Sequence, residues 1–357
     1  LSFAIKKLLN NHLIKKQPMF TKRFAVSVMA LTTLLMGSIT QVQAATDDTV
    51  TVYSSRKEHL IQPLFEQFTK DTGIEVNYLT GKGGDLIERL KLEGENTPAD
   101  MFMTVDAGDL WYAGTQDIFQ DVITNTIVGN IPTYLRDPDG LWTGLSVRAR
   151  TLVYSTERVN SSELSTYADL ADSKWKGKLC LRTSKKIYTK SLVASIIHNE
   201  GEDKAEKIVS GWVSNLAATP NAKDSHVMNA ILAGQCDVGL VNTYYFGRLI
   251  EKTPDAPLKL FWANQDTTGV HVNVSGAGVT EHASNSDGAI QLLEWLSSAK
   301  AQAIYGALNK EYPANQNIAS DEVVSSWGSF KKDNMNLALV GILQADAVAL
   351  MQRVGYK

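Results

Sequence analysis

Apolar residues recur at helical spacing through HLIQPLFEQFTKDTG (59–73), which predicts an amphipathic helix ending at Gly73. The flanking runs TVTVYSS (49–55) and IEVNYLTG (74–81) have strand character. A second helix is predicted over DLIERLKLEGENTP (85–98), closed by Pro98, and then a strand over ADMFMTV (99–105). Between strand and helix, Gly81, Gly83 and Gly84 read as a tight turn with Asp85 as the helix cap. This β-α-β-α-β order predicts a parallel sheet with helices on both faces, whose ligands gather at the carboxyl ends of the strands.

A second unit of the same kind follows GLSVRARTLVYS (144–155). It predicts a helix near YADLADSKW (167–175), a strand GKLCLRT (177–183), and helices 188–201, 205–216 and 225–234 before the strand CDVGLVN (236–242). GVHVNVSGAGVT (269–280) returns with strand character, and two long helices, 289–308 and 336–356, complete the chain. The expected architecture is two α/β lobes joined by two crossing strands, 144–155 outward and 269–280 back, with a ligand cleft between them.

Composition adds compartment and charge. MFTKRFAVSVMALTTLLMGSITQVQA (19–44) carries Lys22 and Arg23, an apolar stretch from Ala25 to Ile39, and small residues at Val42 and Ala44. That is the layout of a secretory signal peptide, with an uncleaved anchor as the alternative. Residues 1–18 read as an upstream extension. Without residues 1–44, 29 Lys/Arg face 38 Asp/Glu, a net charge of −9. An acidic chain disfavours nucleic acid and anionic membrane surfaces as main partners and suits attraction of a cation. No later segment is long and apolar enough to span a bilayer, so the exported product is expected to be soluble. Cys180 and Cys236 are the only cysteines, and an exported pair is expected to form one disulfide.

Several patterns fail on inspection. The glycines at 81, 83 and 84 match neither a dinucleotide fingerprint nor a Walker loop, and Asp137-Pro138-Asp139 reads as an ordinary turn rather than a calcium loop. His59, His198, His226, His271 and His282 show no ligand spacing. An exported hydrolase is disfavoured because no nucleophile and base can be paired.

Phenols remain. Tyr188 follows the strand carrying Cys180, and the adjacent Tyr244 and Tyr245 follow the strand carrying Cys236, so a disulfide between the strands would bring the three together. A phenol titrates near pH 10, so three converging phenolates require a strong positive charge, of which ferric iron (Fe3+) is the abundant example. The other reading is that the rings line the wall of a pocket for an organic ligand. Arg56, at the end of the first strand and before a helix, offers either an anion site or a surface ion pair.

The stretches VYSSRKEHLIQPLFEQFTKDTGIEV, GENTPADMFMTVDAGDL, GLSVRARTLVYS, KWKGKLCLRTSKKIYTKSL, GQCDVGLVNTYYFGRL and LNKEYPAN, in order, resemble the periplasmic ferric-ion-binding proteins of bacterial iron ABC importers. The resemblance implies a two-lobed type II periplasmic binding protein fold with hinge strands and an interlobe cleft. The lobes would be 48–147 with 276–323, and 148–275 with 324–357. It implies Tyr188, Tyr244 and Tyr245 as iron ligands and Arg56 as anchor of a synergistic anion such as carbonate. Arg148, Thr183 and Ser184 are further anion candidates, with Glu58 and Asp106 as supporting acceptors or carboxylate ligands. Where some members supply a His and a Glu, this chain has Lys57 and Val105, so the anion gains importance. The implied role is that of a monomer in the periplasm that performs no chemistry on its cargo and delivers it to an inner-membrane ABC permease. The alternative is a binding protein for an oxyanion or small organic solute such as a phosphonate.

Overall fold

The structure, a computed structural model, describes residues 49–357; the predicted extension (1–18) and signal peptide (19–44) lie outside the described residues. Strand β1 (Thr49–Ser54), helix α1 (Glu58–Thr72), β2 (Glu75–Thr80), α2 (Gly83–Glu93) and β3 (Met101–Thr104) follow the predicted alternation. The three strands pair in parallel, with β1 between β2 and β3. Gly73 ends α1 in the left-handed region, with φ at 82°, and its N–H returns to Thr69.

After α3 (Ala107–Gly114) and α4 (Asn125–Asn130) comes β4 (Thr143–Ser155), buried along its whole length. Its first half pairs with β8 (Val272–Val279), which in turn pairs with β3. Its second half pairs with β6 (Val238–Asn242) and β7 (Leu258–Phe261), and β6 pairs in parallel with the short β5 (Leu179–Cys180). One strand thus belongs to both halves of the sheet, and β8 returns beside it, as the two crossings required. A continuous apolar strand is what burial on both faces demands.

Helices cover both faces. On the first half, α1, α9 (Ser286–Ser297) and α10 (Ala299–Asn309) enclose Val52, Phe68, Met101, Leu292 and Tyr305 on one side. Residues from α2, α3 and the C-terminal α12 (Ala338–Ile342) close the other side around Phe102, Leu110 and Val340. On the second half, α5 (Ile187–Glu200), α6 (Glu202–Asn215) and α13 (Gln344–Arg353) pack around Leu192, Trp212 and Leu350. The opposite side, around Val227, Ile231 and Phe246, is covered by α7 (Asp224–Leu232) and α8 (Thr243–Lys252). Two short elements, β9 (Tyr312–Pro313) and α11 (Glu322–Ser325), complete the described chain. The Cys180–Cys236 disulfide is formed, at a sequence separation of 56. Among the described residues no helix is long and apolar enough to cross a membrane.

The structure departs from the periodicity reading at several places, and the strand expected at 177–183 is only Leu179–Cys180. Asp85 is not a cap: α2 begins at Gly83 behind Lys82, and Asp85 lies in its first turn. Gly83 and Gly84 are helical, and a Cβ at Gly83 would collide with the Asp109 carboxylate. The expected helix at 167–175 is two 3₁₀ turns, because Asp172 takes extended backbone and its side chain caps Lys174 N–H at 2.9 Å. The expected single helix at 289–308 breaks at Ser298, whose ψ of 159° stops α9 and whose hydroxyl caps α10. That at 336–356 is likewise divided, at Leu343.

Candidate functional site

The adjacent tyrosines converge because the strand ends just before them. β6 stops at Asn242 and α8 starts at Thr243, so Tyr244 and Tyr245 occupy the first turn of a helix. Neighbours there diverge by about 100°, instead of pointing to opposite faces as in a strand. Their rings lie 4.4 Å apart between centroids. Tyr188 likewise opens a helix, as the second residue of α5, eight residues after Cys180 at the end of β5. All three phenols therefore stand at helix N-termini, where the macrodipole favours a negative oxygen.

They line one cleft of about 570 Å³. Ser55, Arg56, Lys57 and Val105 reach it from the first half of the sheet, Arg148 and Ser275 from the crossings, and Arg182, Lys186, Lys223 and Arg248 from the second half. Guanidinium groups lie against the rings: Arg148 and Arg182 at 5.4 and 5.1 Å from the Tyr188 centroid, and Arg248 at 5.2 Å from that of Tyr244. Burial pushes the Tyr188 phenol above its ordinary range despite Arg148, and raises Tyr244 well above it, with Tyr188 and Tyr245 adding to the effect. At neutral pH these two phenols keep their protons until a strong cation displaces them.

Arg56 is buried and committed within the protein. Its Nη2 meets Glu311 Oε2 at 3.0 Å, and its Nη1 donates to Ser275 Oγ at 2.5 Å and Ser146 Oγ at 3.3 Å. The ion pair that the sequence allowed is thus present, but buried rather than at the surface. Arg148 Nη1, also buried, has no hydrogen-bond partner among the described residues, while Nη2 stands 3.5 Å from Asp106 Oδ2. Asp106 is fully buried behind the cleft and accepts from Gly108 N–H, Ser191 Oγ and Asn273 Nδ2 at 2.8, 3.1 and 2.9 Å.

Thr183, Ser184 and Glu58 do not line the cleft. Thr183 and Ser184 use their backbone N–H groups on Asn221 and Lys357, and Glu58 accepts from Tyr78 Oη at 3.1 Å. Arg182, Arg248, Lys186, Lys223 and Glu311 escaped the sequence reading. Arg182 carried one signal, being two residues after Cys180 on the strand that leads to Tyr188. No group of three or more His, Cys, Asp and Glu residues able to hold a metal occurs among the described residues; the anionic donors lining the cleft are the tyrosine oxygens and the Glu311 carboxylate, which is taken up by Arg56.

The sequence profile of the bacterial extracellular solute-binding protein family matches residues 53–303. Iron uptake protein A1 of Synechocystis sp. is 41% identical over 86% of this chain and 87% of its own. A Trichodesmium protein solved in complex with iron and citrate ligands superposes with a TM-score of 0.84 at 45% identity, covering 87% of this chain and 100% of that one. The ferric binding protein from Campylobacter jejuni superposes with a TM-score of 0.81 at 32% identity, covering 86% and 100%.

Proposed function

The chain belongs to the bacterial extracellular solute-binding protein family, and on that footing we propose that it is the periplasmic receptor of a ferric-iron importer. Tyr188, Tyr244 and Tyr245 bind the ion as phenolates, and a small oxyanion such as carbonate fills the positions that three ligands leave open. Capture involves no chemistry on the cargo. The protein works as a monomer and hands the ion to an inner-membrane ABC permease. Its lobes are 48–147 with 276–323, and 148–275 with 324–357, which close about β4 and β8.

The observation that carries this reading is the convergence of three phenols from two helix N-termini on one cleft in whose lining four arginines and three lysines outnumber a single carboxylate, Glu311. Hard anionic oxygens select a hard trivalent ion, and the surrounding guanidinium groups offset the charge that three phenolates bring. Arg148, with an unpartnered buried Nη1, and Arg182, with Nε and Nη1 likewise free of hydrogen bonds among the described residues, are the anion donors, and Arg56 joins them only when Glu311 yields. The iron and citrate bound in the Trichodesmium relative support both the ion and the need for an accompanying anion.

The same cationic lining favours a second reading, in which an oxyanion such as a phosphonate is itself the cargo. Titration of the stripped protein with ferric ion in bicarbonate, followed in the visible, separates the two. The first reading requires a phenolate-to-iron charge-transfer band that saturates at one equivalent and disappears in Tyr244→Phe, Tyr245→Phe. Absence of a band together with tight phosphonate binding would establish the second.

A further inference from the structure

Beneath the three phenols lies one carboxylate that the reading above leaves without a part. Asp224 opens α7 and is fully buried. Its Oδ2 accepts from Arg150 Nη1 at 3.0 Å and from the backbone N–H of Asn242 at 3.0 Å. Its Oδ1 accepts from Arg150 Nη2 at 3.4 Å and stands 3.3 Å from Arg182 Nη1. Asn242 is the last residue before α8, and its side chain accepts from Arg150 Nη1 at 3.1 Å while donating to Tyr244 Oη at 3.3 Å. Arg182 lies over Tyr188 and, at 5.9 Å, over Tyr245. Asp224 therefore reaches Tyr244 through Asn242, and the other two phenols through Arg182.

A buried ion pair is by itself a weak source of stability, and apolar side chains of similar volume would serve as well. What apolar residues would not do is fix the direction of Arg182. Two guanidinium groups share one carboxylate, so without Asp224 the Arg182 cation, which already meets the Tyr245 phenol, has no anion behind it and is drawn further onto the phenol oxygens. A trivalent cargo would then have to displace it. Resting on the ferric reading above, we propose that Asp224 is the positioning residue of the phenol triad, holding Arg182 back against the ring faces, where it meets the Tyr245 phenol without moving onto the three oxygens together.

The test is ferric titration of Asp224→Asn in the full chain, read from affinity and from the position of the charge-transfer band. The expected result is a loss of about tenfold or more, equivalent to about 1.4 kcal/mol, with a shifted band and unchanged stoichiometry. Adding Arg182→Met removes the released cation and should recover part of that affinity, short of wild type by the charge that Arg182 itself offsets, whereas a merely structural role would make the double variant worse. If Asp224→Asn does not fold, Asp224→Glu decides the matter, since it keeps the charge but moves it by one methylene: Arg182 should shift with it, move the band and weaken binding several-fold, and a wild-type band and affinity would overturn the proposal. A wild-type protein without a band sinks the ferric reading itself. A wild-type band matched by Asp224→Asn in position and affinity overturns only the positioning role.

Discussion

Glu311→Gln is the sharpest perturbation of the cleft, because Arg56 depends on that one carboxylate. The two side chains are 1% and 3% exposed, and Ser146 Oγ adds a hydrogen bond to Glu311 Oε2 at 2.8 Å. Gln preserves volume and one acceptor but removes the charge, leaving a guanidinium buried without a counter-ion. Breaking such a pair from one side costs about 3–5 kcal/mol, and the remaining amide hydrogen bond recovers about 1 kcal/mol, so a loss of about 3 kcal/mol is expected. The double variant Arg56→Met, Glu311→Leu removes both charges and should stay within about 1 kcal/mol of wild type. Urea unfolding at unchanged m-value measures both. A loss below about 1 kcal/mol in Glu311→Gln would mean that Arg56 is satisfied elsewhere, and the argument from the buried pair would fail. The same variants test function in opposite directions: Glu311→Gln frees Arg56 and should strengthen anion binding, while Arg56→Met should weaken it. Equal anion affinity in both would leave Arg56 a purely structural residue.

Three further outcomes are expected. Replacing Cys180 and Cys236 by Ser opens a loop of sequence separation 56 and should destabilise the fold by about 4 kcal/mol on the chain-entropy account; equal urea midpoints with and without the bridge would show that β5 and β6 need no tie. Burial above all, joined by Arg148 and Arg150 and opposed by Asp333, holds the His271 imidazole down at about 3. The unfolded chain then takes up a proton below about pH 6.5 that the folded chain refuses, so stability should fall by about 1.4 kcal/mol per pH unit between there and about pH 3. His271→Asn should flatten that slope in urea titrations, and an unchanged slope would assign it to other groups. Because burial keeps Tyr188 and Tyr244 protonated, ferric affinity should drop with falling pH by up to about tenfold per unit for each proton displaced, and Tyr188→Phe should lower both affinity and slope; a flat profile from pH 8 to about 6 would exclude phenolate ligands.

Much of this protein is written locally. Apolar periodicity and Gly73 mark β1-α1-β2 because side-chain direction repeats with the backbone's own period. Two exported cysteines admit one intramolecular pairing, and the Tyr-Tyr pair stands out after its strand, although the helix start that turns both rings to one cleft came only with the structure. Local signals also misled where a short polar side chain redirected the chain, as Asp172 and Ser298 do by capping the turn that follows. What the tertiary structure alone decided is which charges meet. Arg56 and Glu311 are 255 residues apart, and Arg150 and Asp224 are 74 apart. Nothing in either neighbourhood announces the partner, since a charge buried by distant segments is matched by whatever the fold brings within about 4 Å. The sequence by itself therefore determined the alternating elements, the disulfide and the three candidate phenols. The pairing of β4 with both halves of the sheet, and the carboxylates that hold Arg56, Arg148 and Arg182, exist only once the chain has closed on itself.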